Sequence, residues 1–266
     1  MTVLEYAPQG LRQVRSLVVL GDSTAVGLGD PLPGGGWRGV GPFLADALSG
    51  TEQVLFANVS INGARMGDVR SIQLPQALAV APEVAVIIVG MNDTLRSDFD
   101  PERIRADLGY VVGELKAAGA IVLTVRFHDH AKVFRLPGPL RRALRSRISA
   151  LNSVIDSVSA AHDAGCLDLD LLPGAYEMGT WSVDRLHPSE LGHRLLAQGF
   201  AGMLADRGCA IPRPVSLTCS GGRQVGTAGH VVWLIVKGIP WLWRRGRDLV
   251  PYAVSIMVKG VVGPPR

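Results

Sequence analysis

Apolar residues come in short unbroken runs that alternate with longer stretches of helical period. Val18, Val19 and Leu20 form the first run, which stops abruptly at Gly21-Asp22-Ser23-Thr24. Further runs lie at 54–59, at 84–89 (the clearest), at 121–125 and at 166–171. Continuous β-branched runs bounded by Gly or Pro predict strands buried on both faces, as in a parallel sheet. Between them, 37–48 reads as a helix with Phe43, Leu44, Ala47 and Leu48 on one side and Gly50 as its stop. Residues 66–79 read as a second helix, ended before Pro82. A third, over 101–118, repeats Ile104, Leu108, Val111, Val112 and Leu115 at helical spacing, with Pro101 in its first turn and Gly119 after its last. Residues 139–163 and 189–207 complete the set, the last capped by Ser189 and ended by Gly208. Repeated β-α units predict an α/β fold: a parallel sheet of about five strands between helices, with active loops on the carboxyl edge.

Several of those loops hold residues suited to serine chemistry. Ser23 follows the first strand, at the sheet end where ligands bind in open α/β folds. Asp184 stands three residues before His187, a spacing that lets a carboxylate fold back on an imidazole while the other ring nitrogen takes a serine proton. Gly63 follows the second strand, where a turn glycine turns a backbone N–H toward a site, and Asn92 follows the third with a side-chain N–H. Each has a plainer reading alone: Ser23 or Asn92 as a helix cap, Gly63 as an ordinary turn, Asp184 and His187 as a solvated acid and a helix-start histidine.

Together, in order and spacing, Gly21-Asp22-Ser23, Gly63, Gly90-x-Asn92-Asp93 and Asp184-x-x-His187 resemble the four blocks of the SGNH (GDSL-type) hydrolases. The resemblance spans about residues 16 to 207. It implies a three-layer α/β/α, flavodoxin-like sandwich and ester hydrolysis through an acyl-serine. Ser23 is then the nucleophile, His187 the base and Asp184 its orienting acid, with an oxyanion hole from the Ser23 and Gly63 amides and the Asn92 side chain. It implies no metal and no organic cofactor. The strained G-x-S-x-G elbow of the α/β-hydrolases is absent around Ser23.

Neighbouring residues extend the picture. Asp22 and Asp93 are expected to brace loops through backbone hydrogen bonds. His128-Asp129-His130 makes a poor metal site, with two histidines at i, i+2 and no further acid or cysteine partner beyond the tripeptide, and is expected at the pocket mouth. Tyr176 and Trp181 could stack on a sugar or acyl chain or pack a loop, and Arg65 could bind an anionic substrate group or face water. These four, Arg65, His128, Tyr176 and Trp181, are the candidate substrate-binding residues. The glycines at 27–36 do not fit a dinucleotide loop, because Leu32 occupies the last glycine position.

With 266 residues, 47% of them hydrophobic, the chain is long enough for a sizeable core. Its net charge of +4 is spread over basic clusters at 126–147 and 244–247 that lack a nucleic-acid motif, so no nucleic-acid partner is expected. Three cysteines, Cys166, Cys209 and Cys219, give neither a disulfide framework nor zinc spacing. Glu5, Pro8 and Gln9 interrupt any signal-like start, which points to the cytoplasm.

Two regions follow: a hydrolase domain over 1–208 and an extension over 209–266. The extension carries apolar runs at 231–243 and 252–262, with Trp233, Trp241 and Trp243 beside Arg244, Arg245 and Arg247. Either run is too short to span a bilayer, but Trp and Arg together suit the inner membrane interface. Folding back on the domain, or dimerisation, is the competing reading. The functional expectation is an esterase acting on acetyl or longer acyl esters of a lipid or carbohydrate. Its alternatives are a non-catalytic scaffold and an acyltransferase using the same acyl-enzyme.

Overall fold

A computed structural model describes residues 10–133, 138–220 and Val254. Strands β1 (Ser16–Gly21), β2 (Leu55–Asn58), β3 (Val84–Ile88), β4 (Ile121–Arg126) and β5 (Gly165–Asp168) form one parallel sheet in the order β2-β1-β3-β4-β5. This is the flavodoxin-like order, whose switch point lies between β1 and β3. Every residue of β1 and β3 is buried, whereas β2 and β5, at the edges, are partly open. That difference explains why the two central strands are the plainest apolar runs in the sequence.

Helices α2 (Val40–Leu48) and α9 (Glu190–Asp206) pack together on one face, and α6 (Pro101–Ala117) and α8 (Gly138–Ala161), the latter preceded by the short α7 (His130–Val133), pack together on the other. Leu44, Leu48, Phe200 and Leu204 fill the first layer of core; Leu108, Val111, Leu115 and Leu151 fill the second. Burying each such side chain contributes about 1.5–3 kcal/mol. The Ser189 cap expected from sequence is present, and Asp100, not singled out in the sequence, caps α6. Asp100 accepts from the Glu102 and Arg103 amides ahead of Pro101, and Ser189 accepts from the Gly192 amide.

Two elements differ from the sequence reading. Ser23 does not enter a loop: Asp22 caps a four-residue helix, α1 (Ser23–Val26), of which Ser23 is the first residue. The single helix expected over 66–79 is α3 (Met66–Asp68), a π-helical turn at Val69–Gln73, and α4 (Leu74–Ala79). Pro75 has no N–H to give the Ser71 carbonyl, and the Leu74 N–H instead reaches five residues back to Val69. The wider turn carries Gln73 into the interior.

Residues 209–220 lie along the α/β unit. The Ala210 amide bonds to the Arg12 carbonyl at 2.9 Å and the Arg213 amide to that of Ala47 at 3.2 Å. Ser220 donates its amide and hydroxyl to Glu190 at 2.7 and 2.8 Å. The apolar runs at 231–243 and 252–262 lie outside the described residues. Among the described residues no helix is long and apolar enough to cross a membrane.

Candidate active site

The end of β1 is built to present Ser23. Gly21 has φ +142°, and a Cβ there would stand 1.9 Å from the Ile88 carbonyl oxygen of the neighbouring strand, so no other residue fits. The Asp22 amide bonds to that same carbonyl at 3.0 Å. Asp22, itself buried, accepts from the Thr24 amide at 3.0 Å and so fixes the turn that leaves the Ser23 hydroxyl at the carboxyl edge. Gln73 braces Gly21 from the side beyond the end of β2, accepting from its N–H at 2.7 Å and donating to its C=O at 2.9 Å.

From the opposite side comes the turn before α9. Trp181 and Pro188 are bridged, the Ser182 amide bonds to the His187 carbonyl at 2.9 Å, and Arg185 adopts φ +54° to close the loop. One oxygen of Asp184 accepts from the Ser182 hydroxyl (2.6 Å) and the Leu186 and His187 amides (2.8 and 2.9 Å). Its other oxygen is 2.6 Å from His187 Nδ1, and His187 Nε2 is 2.7 Å from Ser23 Oγ. Burial opposes ionisation of Asp184, but the hydrogen bond and charge of His187, with Ser182 assisting, outweigh it and hold the pKa at about 2. The carboxylate is thus a fixed anion behind the imidazole.

Gly63 and Asn92 belong to adjoining turns. The Ile61 amide bonds to the Gly21 carbonyl at 3.1 Å, tying the 60–64 turn to the end of β1. Gly63 takes φ +80°, a left-handed conformation that favours glycine, although a Cβ there would meet nothing within 4 Å. Asn92, in the short helix α5 (Met91–Thr94), donates from Nδ2 to the Ala64 carbonyl at 3.1 Å, which leaves its second amide hydrogen.

A model of the GDSL-like lipase/acylhydrolase family matches residues 19–195, two thirds of the chain and the whole of this constellation. The chain belongs to that family. As an acylhydrolase it is a carboxylic ester hydrolase. Among solved structures it is similar to a lipase/acylhydrolase from Enterococcus faecalis, at 22% identity over 73% of this chain and 96% of that one, TM-score 0.58. It is also similar to a single-residue variant of Axe2, an acetyl xylan esterase from Geobacillus stearothermophilus, at 18% identity over 71% and 94%, TM-score 0.57. TesA matches at 24% identity over 73% and 97%, TM-score 0.52. At these identities the likeness is one of fold. A search of curated proteins finds no significant match.

In this GDSL-like chain a cavity runs from Ser23 and His187 toward the β3–β5 side. Asp22, Thr24 and Asn92 share its polar end. Its wall is apolar: Ile88, Met91 and Leu95 after and within β3, Phe127 after β4, Leu169 and Leu172 after β5, and Leu195 and Leu196 from α9. His128, His130 and Trp181 line it as well. The two imidazoles stack at 4.0 Å, and Trp181 leans on His128 at 4.8 Å. Burial, with Lys132 nearby, lowers the His128 pKa to about 4, and burial beside His128 holds that of His130 well below the usual imidazole range, so both are neutral.

Two substrate-binding candidates stand elsewhere. Arg65 does not line this cavity. Its Nε bonds to Asp93 at 3.2 Å and its Nη1 to Asp98 at 2.9 Å, in a separate acid-lined cleft. Asp93 also accepts from the Met66 amide at 3.2 Å, so the Arg65–Asp93 pair joins the Gly63 turn to the Asn92 turn. The Tyr176 ring meets the edge of His128 at 5.8 Å from outside the lining; its hydroxyl accepts from the Asp129 amide and donates to Asp170. Among the described residues no group of three or more His, Cys, Asp or Glu is arranged to hold a metal ion.

Sequence reasoning placed His128 and His130 at the pocket, which both line, but missed Gln73 and the apolar wall. Met91, Phe127 and Leu169 could have been found, since each follows a strand end. Gln73 could not, because its role depends on the π-helical turn.

Proposed function

We propose that the protein hydrolyses esters with an extended apolar acyl group through an acyl-serine intermediate. One observation carries this reading: the unbroken line from Ser23 Oγ to His187 Nε2 (2.7 Å) and from His187 Nδ1 to Asp184 (2.6 Å), open to an apolar cavity. His187 Nε2 takes the Ser23 proton as Oγ attacks the ester carbonyl carbon, while Asp184 holds the Nδ1–H tautomer and stabilises the imidazolium. The oxyanion receives hydrogen bonds from the Ser23 and Gly63 amides and from Asn92 Nδ2. Collapse breaks the bond to the alcohol oxygen, and His187 gives that oxygen its proton. Water then attacks the acyl-serine by the same route in reverse, releasing the acid and restoring Ser23.

The wall from Met91 to Leu196 supports acyl chains longer than acetate, in contrast to the acetyl group named for the Geobacillus stearothermophilus enzyme. The test is hydrolysis of p-nitrophenyl esters from acetate to palmitate by wild type and Ser23→Ala. Loss of activity in Ser23→Ala with a rate maximum beyond acetate supports the proposal. Equal rates in the two proteins overturn the mechanism, and a maximum at acetate overturns the substrate.

A cytoplasmic location with peripheral contact at the inner membrane face extends the proposal. Its support is the three tryptophans next to three arginines within 231–262. A full-length protein that stays wholly unbound in low-salt fractionation with membranes would remove it.

A further inference from the structure

Two loops beside the cavity carry apolar side chains that the core does not use. In the 27–38 loop, a bridge between Pro31 and Trp37 and a hydrogen bond from the Leu32 amide to the Gly36 carbonyl (3.1 Å) close a small hairpin. It leaves Leu32 exposed, and Trp37 is 45% exposed. In the 169–180 loop Leu171 is 80% exposed and Met178 66%, the two most open large apolar side chains among the described residues, with exposed Tyr176 between them. The loops meet through the turn that carries His187. A Cβ at Gly29 would stand 2.0 Å from the Pro188 carbonyl oxygen, and the Ser189 hydroxyl donates to the Gly179 carbonyl at 2.6 Å. Ala175, Thr180 and Pro188, from the same stretches, line the cavity itself. Single exposed apolar residues are ordinary on a protein surface, but a group gathered on two joined loops at one opening marks a contact surface.

Charge, and the direction the chain takes, say what that surface meets. The Tyr176 hydroxyl accepts from the Asp129 amide at 3.2 Å, and Asp129 takes Arg145 of α8 at 2.7 Å, so the start of α8 stands beside the 169–180 loop. One turn nearer that start Arg141 and Arg142 are exposed, and among the described residues no acid pairs with either. The acids of the loop are Asp170, paired with Lys132 at 4.0 Å, and Glu177, which the two free arginines outweigh. On the other side Arg38, next to Trp37, donates to the Ser220 hydroxyl at 2.9 Å. From Ser220 the chain runs on toward residues 231–262, with their three tryptophans and three arginines. Exposed Trp and aliphatic side chains beside unpaired Arg suit the headgroup region of an anionic bilayer. We propose that this rim is a lipid-docking surface: Leu32, Trp37, Leu171 and Met178 enter the headgroup region of an anionic bilayer, Arg141 and Arg142 meet lipid phosphates, and esters reach the cavity from that side. The docking is made by the α/β unit, in addition to any contact through 231–262, and only the entry of esters rests on the esterase reading.

The test is co-sedimentation of the full chain with vesicles of phosphatidylcholine, alone and mixed with phosphatidylglycerol. Three variants are compared with wild type: Trp37→Ser with Leu171→Ser, Arg141→Glu with Arg142→Glu, and, as a control, Leu55→Ser at the opposite edge of the sheet. All five side chains are exposed, so the fold should survive, and the two rim variants test the surface independently. Wild type is expected to bind the mixed vesicles, less so as salt rises, and each rim variant to bind about tenfold more weakly while Leu55→Ser binds as wild type does. Hydrolysis of vesicle-borne p-nitrophenyl palmitate should fall with binding, whereas hydrolysis of dissolved p-nitrophenyl butyrate should not change. Failure of wild type to bind overturns the proposal. So does binding that the rim variants leave unchanged, which assigns the membrane to 231–262 alone, or weaken no more than Leu55→Ser does. A wild-type dimer that Trp37→Ser with Leu171→Ser disperses, with vesicle binding unaltered, overturns it in favour of a second copy of the chain. Rim-dependent binding without hydrolysis of either ester supports the docking surface and strikes the esterase reading instead.

Discussion

Gln73 and Gly21 exchange two buried hydrogen bonds, at 2.7 and 2.9 Å, two residues before the serine that the rest of the site surrounds. The side-chain amide acts as a short substitute for a neighbouring strand, because β2 pairs with β1 only as far as Val19. Replacing it with Leu leaves both Gly21 groups without that partner. Gln73→Leu is expected to lose about 1–3 kcal/mol of stability in urea unfolding. It should also lower kcat more than it raises KM, since the turn that aims Ser23 loosens. An unchanged kcat in a folded variant would show that Asp22 alone fixes the turn.

The line from Ser23 to Asp184 makes a second prediction. Ser23→Ala is expected to abolish labelling by a fluorophosphonate and to lower kcat by at least about 10³-fold while leaving the fold intact. Asp184→Asn cannot accept the Nδ1–H as a carboxylate does, and kcat should fall by about 10³–10⁴-fold. Full labelling of Ser23→Ala would place the nucleophile elsewhere.

Asn92 and Arg65 should separate by their kinetic signatures. In the proposed mechanism Asn92→Ala removes a donor to the developing oxyanion, which is expected to cost about 10²–10³-fold in kcat. Arg65 touches Asp93 and Asp98 rather than the cavity, so Arg65→Ala should lower kcat severalfold through a looser Asn92 turn. Its KM should change equally for neutral and anionic esters. A selective rise in KM for anionic esters would instead make Arg65 a substrate ligand.

Asp22 gives a prediction in pH. Burial raises its pKa to about 7, a push that Asp93 reinforces and that the Thr24 amide and His187 only partly offset. An unfolded aspartic acid titrates near pH ~4, so the folded chain holds this proton more tightly than the unfolded one. Ionising Asp22 therefore removes stability progressively as pH rises from about 4 to about 7, and the loss is complete above that. Asn keeps the oxygen that caps Thr24 but has no proton to lose. The melting temperature of Asp22→Asn minus that of wild type should be larger at about pH 8 than at about pH 4.5. A difference that is flat, or that shrinks with pH, would contradict the burial argument.

The chain's local chemistry determined much of this protein. β1 and β3 are legible as apolar runs because both faces of a central parallel strand are buried. Ser23, Asn92 and the Asp184–His187 pair are legible because each is bound to a strand end or helix start by short-range rules of capping and spacing. The tertiary structure decided what those rules do not reach. Arg65 reads as a free cation beside Gly63, and only the folding of residues 93 and 98 against it turns it into a clamp. Tyr176 reads equally as a stacking platform or as loop packing, and only its contact with His128 from outside the lining puts it behind the wall. Gln73 has no local reason to matter until Pro75 and a π-helical turn carry it to Gly21. The apolar cavity has no sequence signature, because its wall is gathered from the ends of three strands and one helix. Such convergence is a property of the sheet order, fixed by packing across the whole chain rather than by any stretch of it.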